Sequence, residues 1–285
     1  MNADPPVSPL TRRARALWCE LAGEPVAFPA APGELAAVVA PASRLAPEGW
    51  VGVLELGGSA IATAPDEEQR RRLLEALPAP ATRSAPPTEG VSLTDPDAAL
   101  AALPVREVLG PATLGYTSAA DFRPARPTPG IGELPARDLR LAALLERVAA
   151  DEASESGLDE IDSPAFVLTS GSEVLAAAGY VDWPGAAAHV CVLTAPERRG
   201  RGLARRVASA AVEHALARGL LPQWRARPPA SRAVARALGF QELGTQLSLL
   251  LGPFDTPSPQ EPTRPADGPG PAPAARTAGA EKTLG

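Results

Sequence analysis

The stretch Val192-Leu-Thr-Ala-Pro-Glu-Arg-Arg-Gly-Arg-Gly-Leu-Ala204 runs from an apolar segment, through two glycines spaced by one arginine, into a helical pattern. Glycine lacks a Cβ, so at Gly200 and Gly202 the main chain is free to converge its N–H groups on a ligand. A helix starting directly afterwards adds unpaired N–H donors and partial positive charge. Together these features make an anion site suited to phosphate. The charge pattern agrees, because Arg198 to Phe240 holds ten arginines and one acid, Glu213. Arginines massed at a helix N-terminus oppose its dipole, and a bound anion relieves that conflict. A turn of this kind also serves as a plain strand-to-helix connection. It is not a dinucleotide fingerprint: Gly-x-Gly-x-x-Gly is not completed, and no ribose-binding acid stands about 20 residues on. Gly-Lys-Ser/Thr is missing too, so it is no P-loop.

Downstream, Leu203, Val207, Ala211 and Ala215 form one stripe and predict a helix over 201–219, stopped by Gly219. Upstream, 187–194 is nearly all apolar, as expected of an interior strand. Segments 165–168 and 174–180 read as strands joined by Thr-Ser-Gly-Ser, and 139–150 reads as one helix. After the motif helix come a short strand at 221–227, a helix at 229–238 ended by Gly239, and a closing strand at 240–251.

Farther out, residues 1–127 read as an additional α/β region. It holds a helix over 11–22, a hairpin from Trp50 to Thr63 about Gly57-Gly58, and a helix capped by Asp66 that reaches Leu77. A surface loop over 78–90, a helix over 97–103 and a strand over 106–116 follow, and the three prolines of 124–129 mark a linker. The expected division is an N-terminal region, 1–127, a main domain, 128–252, and a tail, 253–285. The tail's eight prolines and scarce large aliphatics predict disorder, because little apolar burial is available to offset ordering entropy.

Apolar residues make up 45% of the 285 and charged residues 21%, which permits a sizeable globular core. A net charge of −6 argues against a protein built to bind nucleic acid. Cys19 and Cys191 are too far apart for a C-x-x-C site, so no metal site is expected, and two scattered thiols fit a reducing compartment. No run approaches ~18 apolar residues, and Met1 to Pro9 lacks a signal-peptide layout. The expectation is a cytoplasmic protein without a membrane span.

Arg199-Gly-Arg-Gly-Leu-Ala204, its lead-in Pro196-Glu-Arg-Arg, and the close Ala233-Val-Ala-Arg-Ala-Leu-Gly-Phe240 resemble the GCN5-related N-acetyltransferase (GNAT) family. The order of strands and helices over 128–252 is similar as well. The resemblance implies a mixed central sheet flanked by helices, with acetyl-CoA as cosubstrate. It implies that backbone groups of Arg199, Gly200, Arg201, Gly202, Leu203 and Ala204 hold the pyrophosphate, and that Val192, Leu193 and Thr194 pair with the pantetheine arm. The acceptor would be an amine on a small molecule or peptide.

Departures from the family pattern bear on catalysis. Ala235 stands where many members place the tyrosine that protonates the thiolate, and Pro228 stands in place of a frequent asparagine. The strand face Ala188, Val190, Val192, Thr194 carries no base, and His189 alternates to the other face. The nearest substitutes by chain position are Tyr180 and Asp182 on the thiolate side, and Glu160 and Asp162 at the amine pocket. Each also fits a surface or capping role. Trp183 fits the acceptor pocket or ordinary loop packing. The leading expectation is an N-acetyltransferase. A non-catalytic acetyl-CoA sensor is the alternative that the missing tyrosine and base favour. The oligomeric state cannot be read from the sequence.

Overall fold

A computed structural model of the chain describes residues 7–77, 92–126 and 129–253. The elements run α1 (Pro9–Leu21), β1 (Leu35–Val39), β2 (Val51–Leu56), β3 (Ser59–Ala64), α2 (Glu67–Ala76), α3 (Pro96–Ala102) and β4 (Val105–Tyr116). Then follow β5 (Ile131–Leu134), α4 (Leu139–Leu145), α5 (Ala150–Ser156), β6 (Ala165–Ser170), β7 (Glu173–Trp183) and β8 (Ala187–Thr194). The chain continues through α6 (Leu203–Ala217), β9 (Leu221–Ala226), α7 (Pro229–Ala237) and β10 (Gln241–Leu251). This is the mixed α/β architecture expected, with helices flanking a central sheet. The surface loop over 78–90 and the tail from 254 lie outside the described residues, as do 127 and 128 of the linker.

Local chemistry explains the helix starts. Ser8 Oγ accepts the Thr11 N–H at 3.1 Å, with Pro9 in the first turn. Asp66 caps α2 through the Gln69 N–H at 2.8 Å, and Glu67 and Glu68 favour the dipole of its first turn. The helix predicted over 139–150 ends earlier, as α4 at Leu145, and a second helix, α5, which the sequence reading did not separate, begins at Ala150. Asp138 caps the first of them, and Gly157, with φ +60, ends the second. The sequence reading missed β1 and β5.

The ten strands among the described residues form one sheet, in the order β1-β3-β2-β10-β4-β9-β8-β7-β6-β5. Only the β1–β3 and β8–β9 pairs are parallel. β10, from the end of the described chain, lies between β2 and β4 and is antiparallel to both. β4 in turn pairs with β9. Strands from both sides of residue 127 therefore interleave, and the described residues up to Gly252 form one compact unit.

Gly244 permits the closest of these approaches. A Cβ there would collide with the Glu55 carbonyl oxygen on β2. Helix α1 buries Ala14, Leu17, Trp18 and Leu21 against Leu54, Ile61 and Tyr116. The same cluster includes Ala187 and Leu221 from the two strands that frame the site. Each fully buried leucine contributes roughly 1.5–3 kcal/mol of apolar transfer. On one face of the sheet, Val207, Ala208, Ala211 and Val212 of α6 pack against Val190, Trp224 and Phe240. The opposite face carries Leu141, Leu144, Leu158 and Ile161, packed against Cys191 and Leu193.

Candidate active site

β8 and β9 pair at Ala187↔Leu221, Ala188↔Pro222 and His189↔Gln223, and at no later rung. From Val190 to Thr194, β8 pairs only with β7 on its far side, so its edge towards β9 stands open. Main-chain groups along such an edge are ready to pair with an extended ligand.

The open edge leads into the glycine turn. After the 3-10 turn Pro196–Arg198, Gly200 and Gly202 both have φ of +72°. Gly202 is the N-cap of α6 and supplies no side-chain cap. A Cβ built at either glycine would meet nothing within 4 Å, so the space in front of the turn is free. Arg201, Arg205 and Arg206 are exposed around it. Arg199 serves as a strut: its Nε donates to the Thr194 carbonyl at 3.3 Å, and its guanidinium pairs with Glu152 at 2.5 Å. Thr194 Oγ1 and Arg198 Nε are buried and have no hydrogen-bond partner. Leaving such groups unpaired costs about 1–3 kcal/mol each.

Below the parting strands lies a cavity of about 440 Å³. Its walls include His189 and Val190 of β8, Arg225 of β9, and Glu155 and Glu160 from α5 and the loop after it. Leu109 and Gly110 of β4, with Gln246 and Ser248 of β10, close another side, so the N-terminal region builds part of the wall.

His189 lines this cavity. Its alternation relative to Ala188 and Val190 is as the sequence indicated, but the cavity opens on the histidine's face as well. Its ring stacks on Trp183 at 4.4 Å between centroids, and Trp183 meets Trp18 edge-on at 5.7 Å. Nδ1 bonds to Gln223 Oε1. An amide oxygen only accepts, so Nδ1 carries the proton and Nε2 keeps its lone pair. Burial, with the charge of Arg225 second, lowers the His189 pKa to about 4 against the opposing pull of Gln223, so the ring is neutral at pH 7. Burial, with the charge of Glu160 second, pushes the Cys191 thiol up to about 12, so it is no nucleophile.

Of the four side chains singled out from the sequence, Glu160 lines the cavity. Tyr180 is fully buried on the α6 face, its hydroxyl bonded to His214 Nδ1 at 2.8 Å and Arg218 at 2.9 Å. Asp182 pairs with the same Arg218 at 3.4 Å. Asp162 Oδ2 accepts the Asp182 N–H at 3.0 Å. The structure thus brings Tyr180, Asp182 and Asp162 together around one end of β7, and sets Glu160 with His189 and Arg225 in the cavity. Sequence reasoning missed Gln223 and Arg225, although their spacing two apart on one strand, with an apolar residue between, was a signal for a shared polar face.

Residues 164–245 match the family model described as GNAT acetyltransferase. This stretch belongs to the GNAT family. It contains the open edge of β8, the glycine turn, His189 and Arg225. Among solved structures, a GNAT-family protein from Novosphingobium aromaticivorans is 23% identical, with 51% of this chain and 65% of that one covered at a TM-score of 0.41. A GCN5-related N-acetyltransferase from Kribbella flavida is 15% identical, with 50% and 58% covered and a TM-score of 0.40. A tandem GNAT protein from the clavulanic acid biosynthesis pathway is 17% identical, with 60% and 63% covered and a TM-score of 0.38. The chain thus spans less than two thirds of the length of each. No curated protein matches it.

Proposed function

We propose that the chain transfers an acetyl group from acetyl-CoA to the amine of a small molecule or peptide. The observation that carries this reading is the alignment of the open β8 edge with the uncapped glycine turn. In this reading the backbone of Arg199 to Ala204 holds the pyrophosphate, and Val192, Leu193 and Thr194 pair with the pantetheine arm. When bound, acetyl-CoA supplies an activated thioester. The same edge would deliver it to the rung where β8 and β9 part, next to the cavity. Glu160 and Asp151 are cavity carboxylates able to take a proton from the attacking amine, and the Nε2 lone pair of His189 is a weaker acceptor because burial lowers its pKa. His189 is the stronger candidate for positioning, because Trp183 and Gln223 fix its plane and tautomer.

Among the described residues there is no group of three or more His, Cys, Asp or Glu that would hold a metal, and no helix is long and apolar enough to cross a membrane. Cys19 and Cys191 are both free thiols, in keeping with a cytoplasmic setting.

A second reading, acetyl-CoA binding without turnover, is favoured by one observation. Ala235 is buried in the core beside Trp224 and Phe240, so the usual tyrosine position offers no acid. Calorimetry with acetyl-CoA and thiol release with a panel of amines separate the two. Binding with thiol release supports transfer, binding alone supports the sensor, and no binding at millimolar acetyl-CoA sinks both.

A further inference from the structure

The cavity is lined by charge of both signs, and the ion pairs sort it. Arg227 is taken up by Glu155, through Nε and a terminal nitrogen at 3.0 Å each. Arg225, Glu160 and Asp151 are left. None of the three forms an ion pair among the described residues, yet Arg225 feels the charge of Glu160. One cation and two acids thus share the cavity without an ion pair between them.

Arg225 is solvent-exposed where it lines the cavity, so it is open to an anionic ligand. Solvent reaches it through the mouth of the cavity, but protein surrounds it on most sides. This burial lowers its pKa, and Arg227 adds repulsion. Other arginines nearby, Arg147, Arg199, Arg218 and Arg227, each have a carboxylate partner. Gln246 supplies a second, independent mark. It is 6% exposed and lines the cavity. Its Nε2 is held by the Leu45 carbonyl, while its Oε1 is buried without any partner. An amide oxygen in that state is a ready acceptor for N–H groups.

We propose that the acceptor is an aminocarboxylate: its carboxylate docks on Arg225, and its amine lies towards Glu160, His189 and the Gln246 amide oxygen. The inference rests on the acetyl-transfer reading above and names the acceptor class for that same site. Length is consistent. Arg225 follows Gln223 by two residues on the same strand face, about 7 Å along β9 from the rung where the strands part. That span suits a free amino acid or a comparably short aminocarboxylate. The planar guanidinium fork matches a carboxylate by two parallel hydrogen bonds, which an ammonium could not reproduce.

The test compares free amino acids with the matched amines that lack the carboxylate, as acceptors in thiol release. Charged hydrogen bonds of this kind contribute about 1.5–3 kcal/mol, so kcat/KM should favour the amino acid by roughly 10- to 100-fold. Arg225→Leu should collapse that ratio towards one, and Arg225→Lys should leave an intermediate ratio. Melting curves and acetyl-CoA affinity of both variants show that the fold and donor site persist. If no amine is turned over, the transfer reading fails, and calorimetry of the same amino acids in the presence of CoA still decides whether the cavity takes an aminocarboxylate. Carboxylate-dependent binding that Arg225→Leu removes upholds it. An unmodified ratio in Arg225→Leu, a wild-type preference for the decarboxylated amines, or no binding of any amino acid overturns it.

Discussion

His189 and Gln223 form the last rung on which β8 and β9 pair, and their side chains are hydrogen-bonded to each other at that rung. The bond sits at the fork from which the cavity opens. It ties the orientation of a cavity-lining imidazole to the position where the sheet divides. Replacing Gln223 with leucine should free the ring to change tautomer and cost about 1–3 kcal/mol for the lost buried acceptor. Nitrogen NMR of His189 would show the Nε2-protonated tautomer appearing, and unfolding in denaturant would give the loss. An unchanged tautomer would show that Trp183 alone holds the ring.

The depressed pKa of His189 carries a pH signature. The folded protein keeps the ring neutral down to about pH 4, whereas the unfolded chain protonates it near 6.5. Between these values the unfolded chain binds the additional proton, so stability falls as the pH drops from 6.5 to about 4 and then levels off for this group. The loss is up to about 3 kcal/mol. A His189→Gln variant should lose this part of the profile, read as a flatter dependence of Tm on pH over the same range.

Gly202→Glu should abolish acetyl-CoA binding while the protein remains folded. The space in front of Gly202 is open, so the new carboxylate occupies the phosphate position and repels it. The positive φ of +72° adds strain of about 1–2 kcal/mol, too little to unfold a typical domain. Calorimetry and melting curves should separate, with affinity lost and the cooperative transition retained.

Ala235→Tyr should destabilise the protein and not restore an acid. Ala235 is 4% exposed and packed beside Trp224, Leu238 and Phe240. A phenol there overfills the core, at a cost of about 1–3 kcal/mol. A raised rate at unchanged Tm would show that the site accommodates the ring.

Gly244→Val should weaken the junction of β10 with β2. Its Cβ would meet the Glu55 carbonyl, so the strands must move apart or the bulge between Glu242 and Gly244 must shift. A lowered unfolding midpoint is expected, together with faster hydrogen exchange on β2 than on β7.

The glycine turn, the motif helix and the strands on either side were legible because each carries a local cause: apolar period, a glycine stop, a proline start. The hairpin about Gly57-Gly58 was legible for the same reason. β1, with the sequence Leu-Ala-Ala-Val-Val, was not, because nothing local marks a short parallel edge strand. The cavity was hidden for a different reason. It is assembled from β4, β8, β9, β10 and the region after α5, and alternation within one strand states which residues share a face, but not which face a distant strand will leave open. Tyr180 illustrates the limit. Its position near the end of β7 suggested that it could approach the thioester, and nothing in the linear reading indicated that its hydroxyl would bond to His214 of α6.

The placement of β10 has a consequence for the order in which the protein is made. β2 and β4 emerge from the ribosome more than a hundred residues before the strand that joins them. Until residue 251 is free, the edges of β2 and β4 that later pair with β10 are bare, and β9, though it can already pair with β4, has no completed sheet to rest on. The nascent chain must keep those edges from pairing with other chains for the whole time needed to synthesise the GNAT region. The sheet closes only at the last strand, so slowed translation past residue 116 should lengthen the aggregation-prone interval, and the same pause placed after residue 251 should not.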